Sequence, residues 1–186
     1  MTATLSNSGD DFILSSAEIS SIVPALLYAS QAASSAISNT VTETAFSTSY
    51  TLPANRLRNG AVLKIRYQGI ATATNSTDTL AIKLYIGGLA GTLLHSHTAT
   101  DVANNDVFSG EYELIFRTIG ATGTMVGCGT CKSIPAAEST ATYKDDILAS
   151  TAIDTTATQA IAVSAQWSVA SASNSCRLDF IRIELW

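Results

Sequence analysis

The side chains best suited to metal binding or proton transfer near neutral pH are two histidines and three cysteines. His95 and His97 alternate in L-L-H-S-H-T, a spacing that puts both on one face of an extended strand. Cys128 and Cys131 form a lone C-x-x-C in G-C-G-T-C-K, and Cys176 stands apart. A structural zinc site takes four ligands, and drawing them from Cys128, Cys131, Cys176, His95 and His97 would bring three distant segments together. A thioredoxin-like pair would open a helix, yet the chain continues K-S-I-P-A-A-E-S-T. The expectation is a cysteine pair in a glycine-rich turn, with no metal and no cofactor.

Covalent and acid–base catalysis find as little support. No G-x-S-x-G marks a nucleophile elbow, and no phosphate-binding or dinucleotide-binding glycine pattern is present; Gly87-Gly88 reads as a turn. Asp10-Asp11 and Asp145-Asp146 are paired in sequence, but neighbouring acids on an extended chain face apart. Asn75-Ser76-Thr77 matches a glycosylation acceptor and reads as a polar turn tip. Trp167 falls in an apolar row, which assigns it to the core, whereas Trp186 ends the sequence as an interface candidate. The expectation is a protein that is not an enzyme.

Composition narrows the class. Only 13% of the 186 residues are charged against 46% hydrophobic, and the net charge is -5. An acidic, weakly charged chain lacks the basic footprint of direct nucleic-acid binding. No apolar run approaches the roughly 20 residues that cross a bilayer as a helix, and the start M-T-A-T-L-S-N-S-G-D-D reads as no export signal. An odd cysteine count fits synthesis in a reducing compartment.

The elements that would position these residues are strands. In A-V-L-K-I-R-Y-Q, Leu63, Ile65 and Tyr67 alternate with Lys64, Arg66 and Gln68. In T-L-A-I-K-L-Y-I, Leu80, Ile82, Leu84 and Ile86 form an inner row, and the N-S-T-D between these two stretches reads as a hairpin turn. The pattern returns as Tyr112, Leu114 and Phe116, and as Ile161, Val163, Ala165, Trp167 and Val169. Near the C-terminus it changes phase, and a single-residue bulge near Phe180 would return Leu178, Phe180, Ile181, Ile183 and Leu185 to the core. Further segments near Val41–Thr51, Thr92–Thr98, Thr124–Ser133 and Ser139–Leu148 bring the count to eight or nine short strands with no helical period among them. This predicts an all-β fold, an antiparallel two-sheet β-sandwich of jelly-roll type, over residues 41–186.

Residues 1–40 differ. Ser15-Ser16-Ala17-Glu18 reads as a capping box, and Ile19, Ile22, Val23, Leu26 and Leu27 follow at helical spacing, with Pro24 limiting the helix. S-Q-A-A-S-S-A-I-S-N-T then reads as a linker. The expectation is an arm with a short helix whose apolar residues, Phe12, Ile13, Leu14, Ile19, Ile22, Val23, Leu26 and Leu27, are buried against a partner or the protein's own domain.

The stretches Y-T-L-P-A-N-R-L-R-N-G-A-V-L-K-I-R-Y-Q-G, A-T-N-S-T-D-T-L-A-I-K-L-Y-I-G-G and W-S-V-A-S-A-S-N-S-C-R-L-D-F-I-R-I-E-L together resemble the jelly-roll virion structural proteins of tailed bacteriophages, over roughly residues 40 to 185. The resemblance implies a capsid decoration, or cement, protein. Such proteins are made in the host bacterial cytoplasm and sit on the phage head surface as homotrimers, reinforcing contacts between subunits of the major capsid protein. Related folds serve in fibres and spikes, which keeps open a receptor- or carbohydrate-binding head domain of a tail fibre.

Overall fold

The computed structural model describes residues 24–74, 77–99, 102–134 and 141–186. Among the described residues twelve strands follow one another: β1 (Ala25–Ala29), β2 (Ile37–Ser38), β3 (Thr44–Ala45), β4 (Tyr50–Leu52), β5 (Val62–Thr72), β6 (Leu80–Ile86), β7 (Thr92–Ala99), β8 (Asp106–Thr118), β9 (Gly123–Ile134), β10 (Thr142–Ile153), β11 (Gln159–Trp167) and β12 (Ser175–Leu185). They form two antiparallel sheets packed face to face. The large sheet runs β1-β12-β5-β8-β9-β10 with β2 also on β12, and the small sheet runs β3-β11-β6-β7 with β4 also on β11. β5 pairs with β12 in one sheet while β6 pairs with β11 in the other, so two ribbons run side by side through both sheets, as in a jelly roll.

This topology corrects one expectation. β5 and β6 are not a hairpin, because each lies in a different sheet and the polar segment between them carries the chain across the sandwich. Alternation reports which side of a strand is apolar and says nothing of which strand lies beside it.

The inner rows are those the alternation predicts. Leu63, Ile65 and Tyr67 of β5, Leu80, Ile82, Leu84 and Ile86 of β6, Tyr112, Leu114 and Phe116 of β8, and Ile161, Val163, Ala165 and Trp167 of β11 are all buried. Val169 is the exception: β11 ends at Trp167, and Val169 is exposed. The bulge in β12 is present, with Leu178 opposite Gly69 and Phe180 opposite Gln68, so Asp179 is the extra residue. It returns Ile181 and Ile183 to the core but leaves Phe180 on the outer face, 40% exposed.

The segment that reads as an arm and linker enters the large sheet from residue 25 onward. Leu26 and Leu27 lie in β1, paired to the end of β12, rather than in a helix; Pro24, which lacks the N–H a helix needs, stands just before them. Two serines then repair the ladder beside the β12 bulge. Ser30 N–H donates to the Ile181 carbonyl while Ile181 N–H donates to Ser30 Oγ, and Ser34 does the same for Leu178, at 2.8 to 3.0 Å. The sequence rich in Ser and Ala is thus an edge covering with side-chain hydroxyls where a ladder residue is missing. Phe12, Ile13, Leu14, Ile19, Ile22 and Val23, with the capping box, lie outside the described residues.

Under the inner face of the large sheet, large rings sit directly opposite glycines. Tyr67 of β5 faces Gly110 of β8, Phe108 of β8 faces Gly69 of β5, and Tyr112 of β8 faces Gly129 of β9. A Cβ at Gly110 would overlap the Tyr67 ring, and one at Gly129 would overlap the Tyr112 ring and the Glu111 carbonyl. The missing side chain is the space in which the ring lies.

Gly110→Ala is therefore expected to destabilise the fold by about 1–3 kcal/mol through overpacking. Because its obstacle is one side chain, Tyr67→Leu combined with Gly110→Ala should cost less than the two separate losses added together. Urea midpoints for the four proteins of the cycle measure this; strict additivity would show that the ring and the glycine are not coupled.

Candidate functional site

The outer face of the large sheet carries the side chains available to a ligand or partner, in registered rows across the strands. One row reads Phe180, Gln68, Ser109, Lys132, Tyr143, from β12 to β10. The next reads Arg182, Arg66, Glu111, Thr130, Asp145, and the third Glu184, Lys64, Glu113, Cys128, Ile147. A last row, Val62, Ile115, Val126, is wholly apolar.

Charges in the middle rows match across the strands. Arg66 Nη2 lies 2.9 Å from Glu111 Oε1 and Lys64 Nζ 3.0 Å from Glu113 Oε1, both between directly opposed residues. Arg182 pairs with Glu184 along β12, and Lys64 Nζ also sits 4.5 Å from the ring centre of Trp186. Exposed pairs of this kind contribute only about 0.2–1 kcal/mol each, so their main effect is to balance the charge of the face.

Two depressions follow from this layout. A shallow trough of about 550 Å³ lies over the first rows, with Phe180 on one side, Tyr143 on the other and the backbone at Gly110 and Gly129 in its floor. A second, of about 400 Å³, is lined by Ile115, Val126, Ile147 and Ala149 at the apolar end. Ile147 is 86% exposed there, and Tyr143 67% exposed beside the trough.

The histidines and paired acids lie elsewhere, along the open side of the sandwich where β7 and β10 meet. Asp145 and Asp146 do face apart. Asp145 accepts from Thr130 Oγ1 on the outer face at 2.6 Å, while Asp146 Oδ2 turns inward and accepts from Ser96 N–H at 3.2 Å. Lys144 donates to the Ser96 carbonyl at 2.7 Å and lies 3.1 Å from Asp146 Oδ1. The inward side chains of one sheet edge thus satisfy the backbone of the other.

His95 and His97 share the inner face of β7, as their spacing predicts, and both are buried. His97 Nε2 is 3.1 Å from Thr142 Oγ1. His95 Nδ1 lies 2.8 Å from Asp146 Oδ2, off the direction a hydrogen bond requires, and neither of its ring nitrogens has a hydrogen-bonded partner among the described residues. Burial, helped by Lys144 and His97, pushes its pKa down to about 4 against the pull of Asp146, so the ring is neutral at pH 7. Burial alone would raise the Asp146 carboxyl, but Ser96 N–H, Lys144 and His95 outweigh it and hold it below the usual range.

The cysteines do not form a cluster. Cys128 and Cys131 sit in the middle of β9 rather than in a turn, and an offset of three in a strand puts them on opposite faces, one exposed and one buried. Cys131 receives the Tyr67 hydroxyl at 3.4 Å, and burial pushes its thiol up to about 11 and that of Cys176 up to about 12. Both stay protonated and unreactive at neutral pH. Among the described residues, no three His, Cys, Asp or Glu side chains are placed to share a metal ion.

Sequence reasoning missed the residues that now matter most. Phe180 reads as core until the bulge is located, and Tyr143 and Ile147 lie in a segment whose charges hide its alternation. Ile115 was detectable: in E-Y-E-L-I-F-R-T it holds an outward position between Glu113 and Arg117, an apolar residue where polar ones alternate.

No protein-family model matches the chain, and no curated protein matches it. Among solved structures it is similar to the CBM2 module of the evolved Dit of Lactobacillus casei BL23 phage J-1, with a TM-score of 0.36 and 10% identity, over 73% of this chain and 67% of that one. It is also similar to a chain in the structure of infectious bursal disease virus Gx strain, with a TM-score of 0.27 and 15% identity, over 87% of this chain and 40% of that one. Likenesses this weak decide nothing about the chain's role. Strand pairing defines its class, an antiparallel two-sheet β-sandwich.

The His95 shift has a signed consequence. Its folded pKa, about 4, lies below the ordinary 6.5, so the unfolded chain binds more protons between those values and stability falls as pH drops through that window. The loss is on the order of 3 kcal/mol if the ring stays buried, and it levels off below the folded pKa. His95→Gln should flatten the dependence of the urea midpoint between pH 6.5 and 4. An unchanged slope would assign the acid sensitivity to other groups.

Proposed function

We propose that the chain is a non-enzymatic virion structural protein, a capsid decoration protein that binds the outer surface of a phage head as a homotrimer and stabilises contacts between subunits of the major capsid protein. The observation that favours assembly is the apolar end of the large sheet's outer face. Ile147 is 86% exposed and Ile115 41%, around a depression that Val126 and Ala149 also line, with Glu113 and Arg117 at its margin. Contiguous apolar surface of this kind is what a subunit contact buries. The sequence resemblance to phage jelly-roll virion proteins supplies the class of partner.

The arm residues Phe12, Ile13, Leu14, Ile19, Ile22 and Val23, with the exposed Leu26 and the half-buried Leu27, are proposed as a second docking element. β1 is the edge strand of the large sheet, so the chain before Pro24 joins the fold at an edge.

Two experiments test this. Light scattering at micromolar concentration should give a multiple of the 19.4 kDa chain, and Ile147→Glu should shift it toward the monomer while its far-ultraviolet circular dichroism stays that of the wild type. A wild-type monomer would remove the proposed self-contact. Deleting residues 1–23, which leaves β1 in place, should preserve folding and weaken capture by capsids that lack the protein. Equal capture by both forms would assign docking to the sandwich alone.

A further inference from the structure

We propose that the trough across the outer face of the large sheet is a binding site for a neutral, linear oligosaccharide. It would lie across the strands with one sugar ring against Phe180 and another against Tyr143. The site borders the apolar end, with Glu113 and Cys128 lining both depressions, and it does not depend on where in a virion the chain sits.

Three features of the trough point to that ligand. The first is its pair of aromatic sides. Phe180 is on β12 and Tyr143 on β10, four strand spacings apart and in register through Gln68, Ser109 and Lys132. At about 4.8 Å per spacing, the backbones that carry the two rings are roughly 19 Å apart, a span for an extended chain of several sugar units. Each ring offers an apolar face to the C–H face of a sugar, and both are substantially exposed, at 40% and 67%.

The second feature is the bulge at Asp179. Without that extra residue, the alternation of β12 would turn Phe180 toward the core; with it, the ring stands on the solvent side at the trough's margin. Bulges recur beside binding sites because they re-aim one side chain without disturbing the rest of a strand.

The third is the balance of the polar groups between the rings. Arg66 is offset by Glu111 and Lys64 by Glu113, and the three rows together hold as many cations, Lys132 and Arg182 included, as carboxylates, so the face carries no net charge to attract an anion or a cation. Arg66 and Glu111 are each more than half exposed, and Arg66 touches both carboxylate oxygens through Nη2 alone, leaving its other N–H groups outside the pair. Paired carboxylate and guanidinium groups, an amide and a hydroxyl supply donors and acceptors for the hydroxyls of an uncharged sugar. A purely apolar ligand would leave them unpaired. An extended peptide gains its main-chain hydrogen bonds at a strand edge, not across a sheet face. The volume of about 550 Å³ falls within the 300–1,000 Å³ typical of small-ligand sites.

The test uses the full chain on an array of immobilised neutral oligosaccharides (fragments of β-1,4-glucan, xylan, mannan and galactan), with alginate and heparin as charged controls. Affinity for any hit is then measured by calorimetry. Binding to at least one neutral glycan is expected, with Phe180→Ala and Tyr143→Ala each weakening it at least tenfold while their thermal transitions match the wild type. Val169→Ala, exposed beyond the end of β11 and outside the trough, should bind as wild type. Binding to no neutral glycan, binding only to the charged controls, or equal binding by both aromatic variants would overturn the proposal. So would a Phe180→Ala or Tyr143→Ala variant that lowers the mass in light scattering and leaves glycan binding intact, since the face would then be a contact between copies. Loss of oligomerisation in Ile147→Glu with glycan binding retained would separate this site from the decoration role.

Discussion

Three rings in the large sheet have nowhere to go except over a glycine. Tyr67, Phe108 and Tyr112 point into the space between the sheets, where the opposing layer already supplies Leu80, Ile82, Leu84, Val163 and Trp167. A ring standing upright would hold the sheets too far apart for the smaller side chains to touch. Lying flat across the adjacent strand, it covers apolar area without adding height, but only if that strand has no Cβ at the opposed position. Gly69, Gly110 and Gly129 meet this condition in register, on β5, β8 and β9. Glycine normally weakens a strand through its conformational freedom and its empty pleat, and the covering ring offsets both. The seating of β8 between β5 and β9 and the close approach of the two sheets over these strands both use this steric fit.

A sandwich closed by such packing still has open sides. β7 ends one sheet and β10 the other, and each would present unpaired backbone to a passing strand. Lys144 and Asp146 reach from β10 to the backbone of Ser96 on β7, so the edges shield each other with side chains instead of a further ladder. β10 also carries a bulge between Leu148 and Thr151, which interrupts the flat template that edge-to-edge aggregation requires. The cost of this closure is a buried, neutral His95 beside a carboxylate, and it appears as acid sensitivity rather than as chemistry. At the other end of the large sheet, Ser30 and Ser34 perform the equivalent repair along β12.

What could be read in the sequence follows from what alternation measures. Leu63-Ile65-Tyr67 and Ile161-Val163-Ala165-Trp167 were legible because each strand has one dry face, which writes itself as period two. The placement of β5 and β6 in different sheets was not, since both strands look alike from either partner. Phe180 was misplaced for a related reason: the need for a bulge is visible in the phase change, but its position decides which apolar residue is left outside, and Asp179 gives no local sign of it. Leu26 and Leu27 fit a helical period as well as a strand, and only the free edge of β12 chooses between them. The C-x-x-C was drawn toward a turn by its flanking glycines, yet Gly127 and Gly129 serve the Tyr112 ring and not the chain's direction. Glycine's two uses, allowing a turn and admitting a neighbour, look the same in one sequence.

The same geometry that packs the inner face shapes the outer one. Beside Gly110 and Gly129 three of the four outward neighbours are short, Ser109, Cys128 and Thr130, with Glu111 the long one, and the trough's floor lies there over the middle of β8 and β9. Phe180 and Tyr143, on strands without such glycines, stand at its sides. Apart from Lys132, the charges of these rows lie in the two between the row of Phe180 and the apolar end, where Arg66–Glu111 and Lys64–Glu113 pair across strands. A face so divided presents two surfaces of different chemistry, one matched to polar groups with apolar faces and one matched only to apolar surface. The rows of ion pairs keep them distinct, because a partner sliding from the Ile147 end toward the trough would have to desolvate four charges without replacing their pairing.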